Sequence, residues 1–407
     1  MENKIISKVT YQSNLTKLLQ DLYVIKIFNA LDKKGINARL VGGCVRDAIM
    51  GNEIFDIDFA TPATSEKITE ALESQNIKVY PTGISHGTVT AVINNTAPFE
   101  ITTLRRDVLT DGRHAQVEFT NDWQEDAARR DFTFNALYLD RGGTLYDYFG
   151  GIQDLQNGIV KFIGDPEQRI QEDYLRILRY YRFFLRYGKE HDISSKNATI
   201  KFQDGLKNLS KERICSEFFK ILEHDNPLQI LKIMEKNEFF QIIFGKKIEN
   251  FNFFILERVL EFQRSAKEKI ILNRLFALFP EKAAFFKRTL KLSNKQLLIL
   301  KALYETSSYN ISDENLFEIN YRYGFDIAEM FLQLKLITTT PNIYNTICSN
   351  IKNLPSIFPI QGKDLIDMGI ESGARMGKLL SACENFWVDS LGKATKAECL
   401  AFLQGML

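Results

Sequence analysis

The stretch "LVGGCVRDAIMGNEIFDIDFATP", Leu40 to Pro62, sets two glycines behind a short apolar run. An Arg-Asp pair then opens a helical pattern, and two aspartates follow one residue apart among Ile and Phe. In a β-strand, residues i and i+2 share a face. Asp56 and Asp58 are therefore expected to project together, with Phe55, Ile57 and Phe59 on the opposite face. Like charges held this close repel, and burial adds a desolvation cost. The pair calls for a cation between its members. A hard divalent ion such as Mg²⁺ binds through one or two carboxylates plus phosphate oxygens and water. A solvated edge strand with incidental aspartates is the competing reading of D-x-D alone.

The context favours the metal. Gly42 and Gly43 lead from the strand into "CVRDAIM", where bare backbone and a helix N-terminus suit phosphate. Arg46 adds a cation one turn in. A third carboxylate, Glu100, stands in "PFEITTLRRD" on the next hairpin. None of the Gly-Lys pairs is followed by Ser or Thr, which disfavours a P-loop ATPase or kinase.

The rest of the chain sets bounds. Its 407 residues suffice for two to four domains, and 45% hydrophobic with 25% charged residues is an ordinary globular composition. A net charge of +1 gives no global basic field, so nucleic-acid contacts must come from local clusters. Five scattered cysteines without CxxC spacing argue against a disulfide framework and a zinc site. No signal-peptide pattern opens the sequence, and no apolar run approaches the roughly 18 residues of a membrane span. The expectation is a cytoplasmic protein with no membrane association and no obligate protein partner.

The pattern changes near Gly150. Before it lie short β-rich runs, with Asn94-Asn95 as a turn between two of them and a helix over "TSEKITEALESQ" capped by Thr64 or Ser65. After it the 3.6-residue period prevails, and "PEQRIQEDYLRILRYYRFFL", Pro166 to Leu185, is expected to form one amphipathic helix. Its polar face carries Arg169, Glu172, Asp173, Arg176 and Arg179. On residues alone this is a solvated face with Asp173–Arg176 and Glu172–Arg176 pairs. "EDAARRDFTFNALYLD" supplies another charged cluster, Arg129, Arg130 and Asp131.

Taken in order, "LVGGCVRD", "FDIDFATPAT", "TGISHGTVTAVI", "FEITTLRRDVLTDGRHAQVEF", "RRDFTFNALYLD" and "EDYLRILR" resemble the class II tRNA nucleotidyltransferase and poly(A) polymerase family, most of all its bacterial CCA-adding members. The resemblance implies an α+β protein: a polymerase-beta-like nucleotidyltransferase head over 1–150, then an elongated all-α part with neck 151–225, body 226–330 and tail 331–407. It implies template-independent addition of CCA to the tRNA 3′ end, at the acceptor arm, from CTP and ATP. Asp56 and Asp58 would hold two Mg²⁺ ions, with Glu100 as third carboxylate. Gly42, Gly43, Arg46, Arg129, Arg130, Asp131 and Asn135 would bind triphosphate and ribose, Asp131 facing the 2′-hydroxyl. Glu172, Asp173, Arg176 and Arg179 would read the base, Glu172 orienting Arg176. A carboxylate accepting from the exocyclic amino group beside a guanidinium donating to the ring nitrogen suits C and A, and opposes U and G. Arg105, Asp107, Asp111 and Arg113 fall in the family's flexible loop.

Three alternatives stay open at this point: poly(A) polymerase, an A-only or C-only relative, and a non-catalytic RNA-binding protein on the same scaffold. His86 lies in a family block without an assigned role. His191-Asp192 spells the HD dipeptide of phosphohydrolases, but a solvated loop dipeptide is the simpler reading. Dispersed basic residues of the helical part, such as Lys207, Lys211 and Arg213, are expected either on solvated faces or along an RNA backbone.

Overall fold

The computed structural model describes residues 5–6, 12–83, 87–94, 98–110, 115–248, 251–261, 267–336 and 341–407. The chain divides into two compact units, residues 1–217 and 218–407.

The first unit is built on a mixed sheet. Its strands are β1 (Ile5–Ile6), β2 (Arg39–Val41), β3 (Ile57–Thr61), β4 (Lys78–Gly83), β5 (Thr88–Val92), β6 (Phe99–Thr103), β9 (Leu137–Asp140) and β10 (Leu145–Asp147). They pair in the order β1-β10-β9-β2-β3-β6-β5-β4. Every neighbouring pair is antiparallel except β3 and β6. A parallel pair needs a crossover. Here the crossover runs through α4 (Ser65–Glu73), which follows the N-cap Thr64, and through β4 and β5. Between β7 (Arg105–Thr110) and β8 (Ala115–Phe119) a separate two-stranded sheet forms. The flexible-loop segment is thus a hairpin over its described residues, while Asp111 and Arg113 lie outside them, as does His86.

Helices α1 (Gln12–Leu19), α2 (Leu22–Asp32) and α3 (Gly43–Met50) belong to the same unit. Phe28 of α2 meets Phe59 of β3 edge to face with ring centroids 5.1 Å apart. Val41, Ala60, Leu104, Ala127, Ala136, Tyr138 and Ile163 form a buried cluster, so α5 (Trp123–Ala128) is anchored by Ala127. Asn94 takes the left-handed conformation (φ 49°) at the expected turn after β5; Asn95 lies outside the described residues.

After β10 the chain turns helical, as its period predicts. Asp147, buried at the end of β10, accepts from the amides of Gly151 (2.9 Å) and Ile152 (3.0 Å) and so starts α6 (Gly151–Asn157). Gly151 packs directly on the 3₁₀ turn Thr133–Asn135: a Cβ there would lie 2.2 Å from the Thr133 carbonyl oxygen. The single helix expected from Pro166 to Leu185 is two, α7 (Pro166–Glu172) and α8 (Leu175–Tyr187). Asp173 between them is extended (φ −155°, ψ 104°). Its carboxylate accepts from the Leu175 amide (3.1 Å), which favours the break, because Asp competes with the helix for nearby backbone donors. Two short strands, β11 (Ile159–Val160) and β12 (Glu190–His191), pair in parallel beside α8, and α9 (Ile193–Lys201) and α10 (Lys211–Glu223) follow.

His191-Asp192 is structural. The His191 ring stacks on Phe184 with centroids 3.7 Å apart and shares a hydrogen bond with the Tyr180 hydroxyl (2.8 Å). Burial pushes its pKa down to about 4. Asp192 caps α9 through the Ser195 amide (2.8 Å).

Helices make up the second unit. One part is held by aromatic packing of Phe218, Phe240, Phe244 and Phe279. A second core gathers around Trp387, with Phe317, Leu365, Leu379 and Cys383. The helix Ala374–Asp389 begins after Gly373. No helix among the described residues is long and apolar enough to cross a membrane.

Candidate active site

A cavity of about 550 Å³ opens in the first unit between the β2–α3 turn, the start of β3, the Arg130–Asn135 segment and α8. Gly42 and Gly43 form one edge. Gly42 has φ 73°, where a side chain is strained, and a Cβ would stand 3.3 Å from Arg130 Nη1. The backbone there stays bare toward the cavity.

Asp56 and Asp58 both line the cavity. The strand begins at Ile57, so Asp56 precedes it, and the strict alternation expected across Phe55 does not hold. Phe55 is 67% exposed and lines the cavity beside Asp56 rather than packing behind it. With no partner strand pairing it, this stretch is freed from the pleat. Asp58 stands in register with Glu100 across the parallel β3–β6 pair. Burial, then the charge of Glu100 and, more weakly, that of Asp56 push the Asp58 carboxyl up to about 6; Arg130 opposes them. Glu100 itself is exposed and is not part of the cavity lining.

This carboxylate pair fits a divalent cation. The donors are hard oxygens, and burial together with the neighbouring carboxylates of Glu100 and Asp56 disfavours the Asp58 anion unless a cation joins it. No group of three or more His, Cys, Asp or Glu among the described residues is placed to hold an ion unaided. Phosphate oxygens and water would complete the shell.

Opposite the carboxylates stand arginines, each held by an acid. Arg130 pairs with Asp126 (3.3 Å) and donates to the Tyr138 hydroxyl (3.3 Å), while Arg129 pairs with the other Asp126 oxygen (2.8 Å) from behind the lining. Burial alone would raise the Asp126 carboxyl; Arg130, Arg129 and the Tyr138 hydroxyl reverse this and leave it at about 2. Asp131 accepts from Asn135 Nδ2 (3.0 Å) on one oxygen and from Arg179 Nε (2.7 Å) and Nη2 (2.5 Å) on the other. Burial works against its ionised form, but Arg179 and Asn135 hold it well below the usual carboxylate range.

The break at Asp173 aims the next residues. Asp173 and Arg176 both line the cavity. Arg176 Nη1 donates to Glu172 Oε2 (2.6 Å) and to the Arg169 carbonyl (2.7 Å). Glu172 also pairs with Arg169, whose guanidinium in turn bonds the Arg129 and Arg130 carbonyls. The contact between Glu172 and Arg176 is thus the one expected. Asp173, however, pairs with Arg213 of α10 (2.7 Å) rather than with Arg176. Arg213, expected on a solvated face or an RNA track, is turned to the cavity wall instead.

Of the expected residues, Gly42, Gly43, Arg46, Asp56, Asp58, Arg130, Asp131, Asn135, Asp173, Arg176 and Arg179 share this one cavity. Arg129 and Glu172 support it from behind. Arg105 and Asp107 lie at the foot of the β7–β8 hairpin, where the Arg105 amide donates to Asp126 (3.3 Å). Several contributors escaped the sequence reading. Arg182 and Arg186 extend the arginine stripe of α8, and the i, i+3, i+4 spacing from Arg176 was their signal. Glu217 holds Arg182 (2.7 Å), and nothing local in the sequence marks it.

Residues 38–161 match the family profile described as "Poly A polymerase head domain", and residues 192–251 match "Probable RNA and SrmB-binding site of polymerase A". The mitochondrial CCA tRNA nucleotidyltransferase 1 of Homo sapiens is 34% identical over 419 residues, covering 97% of this chain and 91% of that protein. The chain belongs to the CCA tRNA nucleotidyltransferase family. The CCA-adding enzyme of Ligilactobacillus salivarius is 32% identical, over 88% of this chain and 90% of that one. Among solved structures, the Bacillus stearothermophilus CCA-adding enzyme in complex with CTP superposes with a TM-score of 0.75 at 25% identity, over 97% of this chain and 98% of that one. The bacterial CCA-adding enzyme thus shares this chain's fold, the vertebrate relative shares its sequence over nearly the whole length, and the chain is a nucleotidyltransferase of that kind.

Proposed function

We propose that this chain adds CCA to the 3′ end of tRNA, using CTP and ATP and releasing pyrophosphate, in the cytoplasm. The observation that carries the reading is one cavity holding both a carboxylate pair fit for divalent ions and an Asp–Arg pair fit to read a base edge. The CTP complex of the B. stearothermophilus relative supports CTP as a substrate.

Two Mg²⁺ ions held by Asp56 and Asp58 would supply activation of the terminal RNA hydroxyl and charge neutralisation on the leaving pyrophosphate. Everything else falls to the chain's own groups. The bare backbone at Gly42 and Gly43, with Arg46 and Arg130, cradles the triphosphate. Asp131 faces the ribose 2′-hydroxyl, which takes the place of one of the four hydrogen bonds it accepts from the Phe132 amide, Asn135 and Arg179. Asp173 accepts from the exocyclic amino group of C or A, and Arg176, fixed by Glu172, donates to the ring nitrogen. Arg179 steadies Asp131 and the base reader together. Glu100 strengthens the field at Asp58. Arg105, Asp107, Asp111 and Arg113 belong to a lever segment that resizes the pocket between C and A. A head (1–150) doing chemistry, a neck (151–225) reading the base, and a body (226–330) and tail (331–407) receiving tRNA complete the assignment.

The deciding experiment incubates the full chain with Mg²⁺, tRNA lacking its 3′ CCA and one labelled NTP at a time, then with CTP and ATP together. CMP incorporation followed by a single AMP supports the reading. AMP runs without CTP would reassign the chain to the poly(A) branch, and A-only or C-only products would restrict it to partial addition.

A further inference from the structure

Arg46 and Asp47 are chain neighbours on α3, and neighbours on a helix point to different faces. Arg46 nevertheless folds back onto Asp47. Its Nε donates to Oδ1 (3.2 Å) and its Nη2 to Oδ2 (2.7 Å), while Nη1 donates to Asn135 Oδ1 (2.5 Å). A guanidinium carries five N–H donors. Three are engaged here, and two are left for the cavity that Arg46 lines. Such a pair keeps its aim only if Asp47 is itself fixed.

Tyr187, the last residue of α8, fixes it. Its hydroxyl donates to Asp47 Oδ1 (2.5 Å) across 140 positions of chain. Its ring lies under Arg46, with the guanidinium carbon 4.7 Å from the ring centroid. The ring is buried against Phe134 (5.6 Å between centroids) and Phe183 (6.1 Å). One side chain thereby grips both members of the pair, the hydroxyl taking the acid and the π-face taking the cation. Arg186, 3.7 Å from Asp47, adds charge from the same helix.

We infer that Tyr187 is a positioning residue for the incoming nucleotide: through Asp47 it holds the two remaining Arg46 donors toward the triphosphate. This rests on the proposed nucleotide site but concerns CTP and ATP alike, because the phosphates are common to both. Base choice is set elsewhere and is left untouched.

The test compares Tyr187→Phe with Tyr187→Leu. Phe keeps the ring and removes only the hydroxyl, whereas Leu removes the ring as well. Expected for Tyr187→Phe is a KM for CTP and for ATP raised together by about tenfold, the scale of one charge-assisted hydrogen bond. Its kcat stays within about twofold, its thermal midpoint falls by only a few degrees, and its discrimination against UTP is unchanged. Equilibrium dialysis with labelled CTP should show the same weakening without any turnover. A Phe variant that binds CTP as wild type does, with only Leu impaired, would reduce Tyr187 to packing and overturn the inference. So would a Phe variant whose kcat falls about tenfold or more while its KM for both nucleotides stays at the wild-type value. If the wild-type chain transferred no nucleotide to tRNA, the functional reading would fail, yet the dialysis comparison would still decide the role of Tyr187.

Discussion

Asp58 and Glu100 are register partners on the two parallel strands of the sheet, yet only Asp58 reaches the cavity. Their roles should separate on mutation. Asp58→Ala or Asp56→Ala should lower nucleotide addition by roughly a thousandfold or more, since metal stabilisation of several kcal/mol at the transition state is lost. Glu100→Gln should cost about tenfold, acting only through the field at Asp58. Asp58→Asn should also melt no earlier than wild type in EDTA, because a repelled, half-buried charge has been removed. Mg²⁺ should raise the wild-type midpoint and leave that variant's unmoved. Single-turnover extension and thermal melts with and without Mg²⁺ check both halves.

Asp131 joins Asn135 and Arg179, so it should matter to the fold as well as to the sugar. Asp131→Asn breaks a buried pair and should destabilise the chain by about 3 kcal/mol, the low end of the usual range because Arg179 keeps partial access to water. Among molecules that remain folded, the preference for ATP over dATP should narrow. Urea unfolding and the ATP/dATP rate ratio measure the two effects, and an unchanged ratio would remove the 2′-hydroxyl assignment.

Arg213 should govern selectivity from a distance. It holds one oxygen of Asp173 (2.7 Å), the Leu175 amide holding the other. Arg213→Ala frees the outer oxygen to turn. Incorporation of UMP and GMP relative to CMP and AMP should then rise by roughly tenfold, the equivalent of one mis-set hydrogen bond. Single-NTP assays report it, and unaltered ratios would place base choice outside this pair.

Asp126 should give the site a measurable acid limit. Its folded pKa, about 2, lies below the ordinary 3.8. A depressed carboxyl stabilises the fold fully above its unfolded pKa and loses that contribution as pH falls through the folded one. The window is therefore from about pH 4 down to about pH 2, and the contribution is roughly 2 kcal/mol. Comparing wild type with Asp126→Asn by urea unfolding at pH 7 and near pH 2.5, the gap between them should shrink on acidification. A gap that stays constant would mean the carboxylate gains nothing from Arg129 and Arg130.

The sequence carried the ordered parts of this site well and its cross-links poorly. The glycine pair, the D-x-D run and the arginines of α8 are local patterns, and all three line the cavity, although the D-x-D run reaches it without the strand alternation its spacing predicts. The period of the 166–185 segment is helical on both sides of Asp173, and a period carries no sign of the one extended residue between the two helices. The strand start at Ile57, which exposes Phe55, depends on which residues find a partner strand, and that is a tertiary fact. Glu217, Arg213 and Tyr187 reach their partners over dozens of positions, so no window along the chain contains both ends of those contacts.

Gly151, at the start of the first helix after the sheet strands, packs against the carbonyl of Thr133. Even one methyl group there would overlap the oxygen, so the position is closed to every other side chain unless the backbone separates. Across diverged copies of this protein, such a site behaves as a lock on drift. A library randomised at 151 should therefore return glycine alone among its active clones.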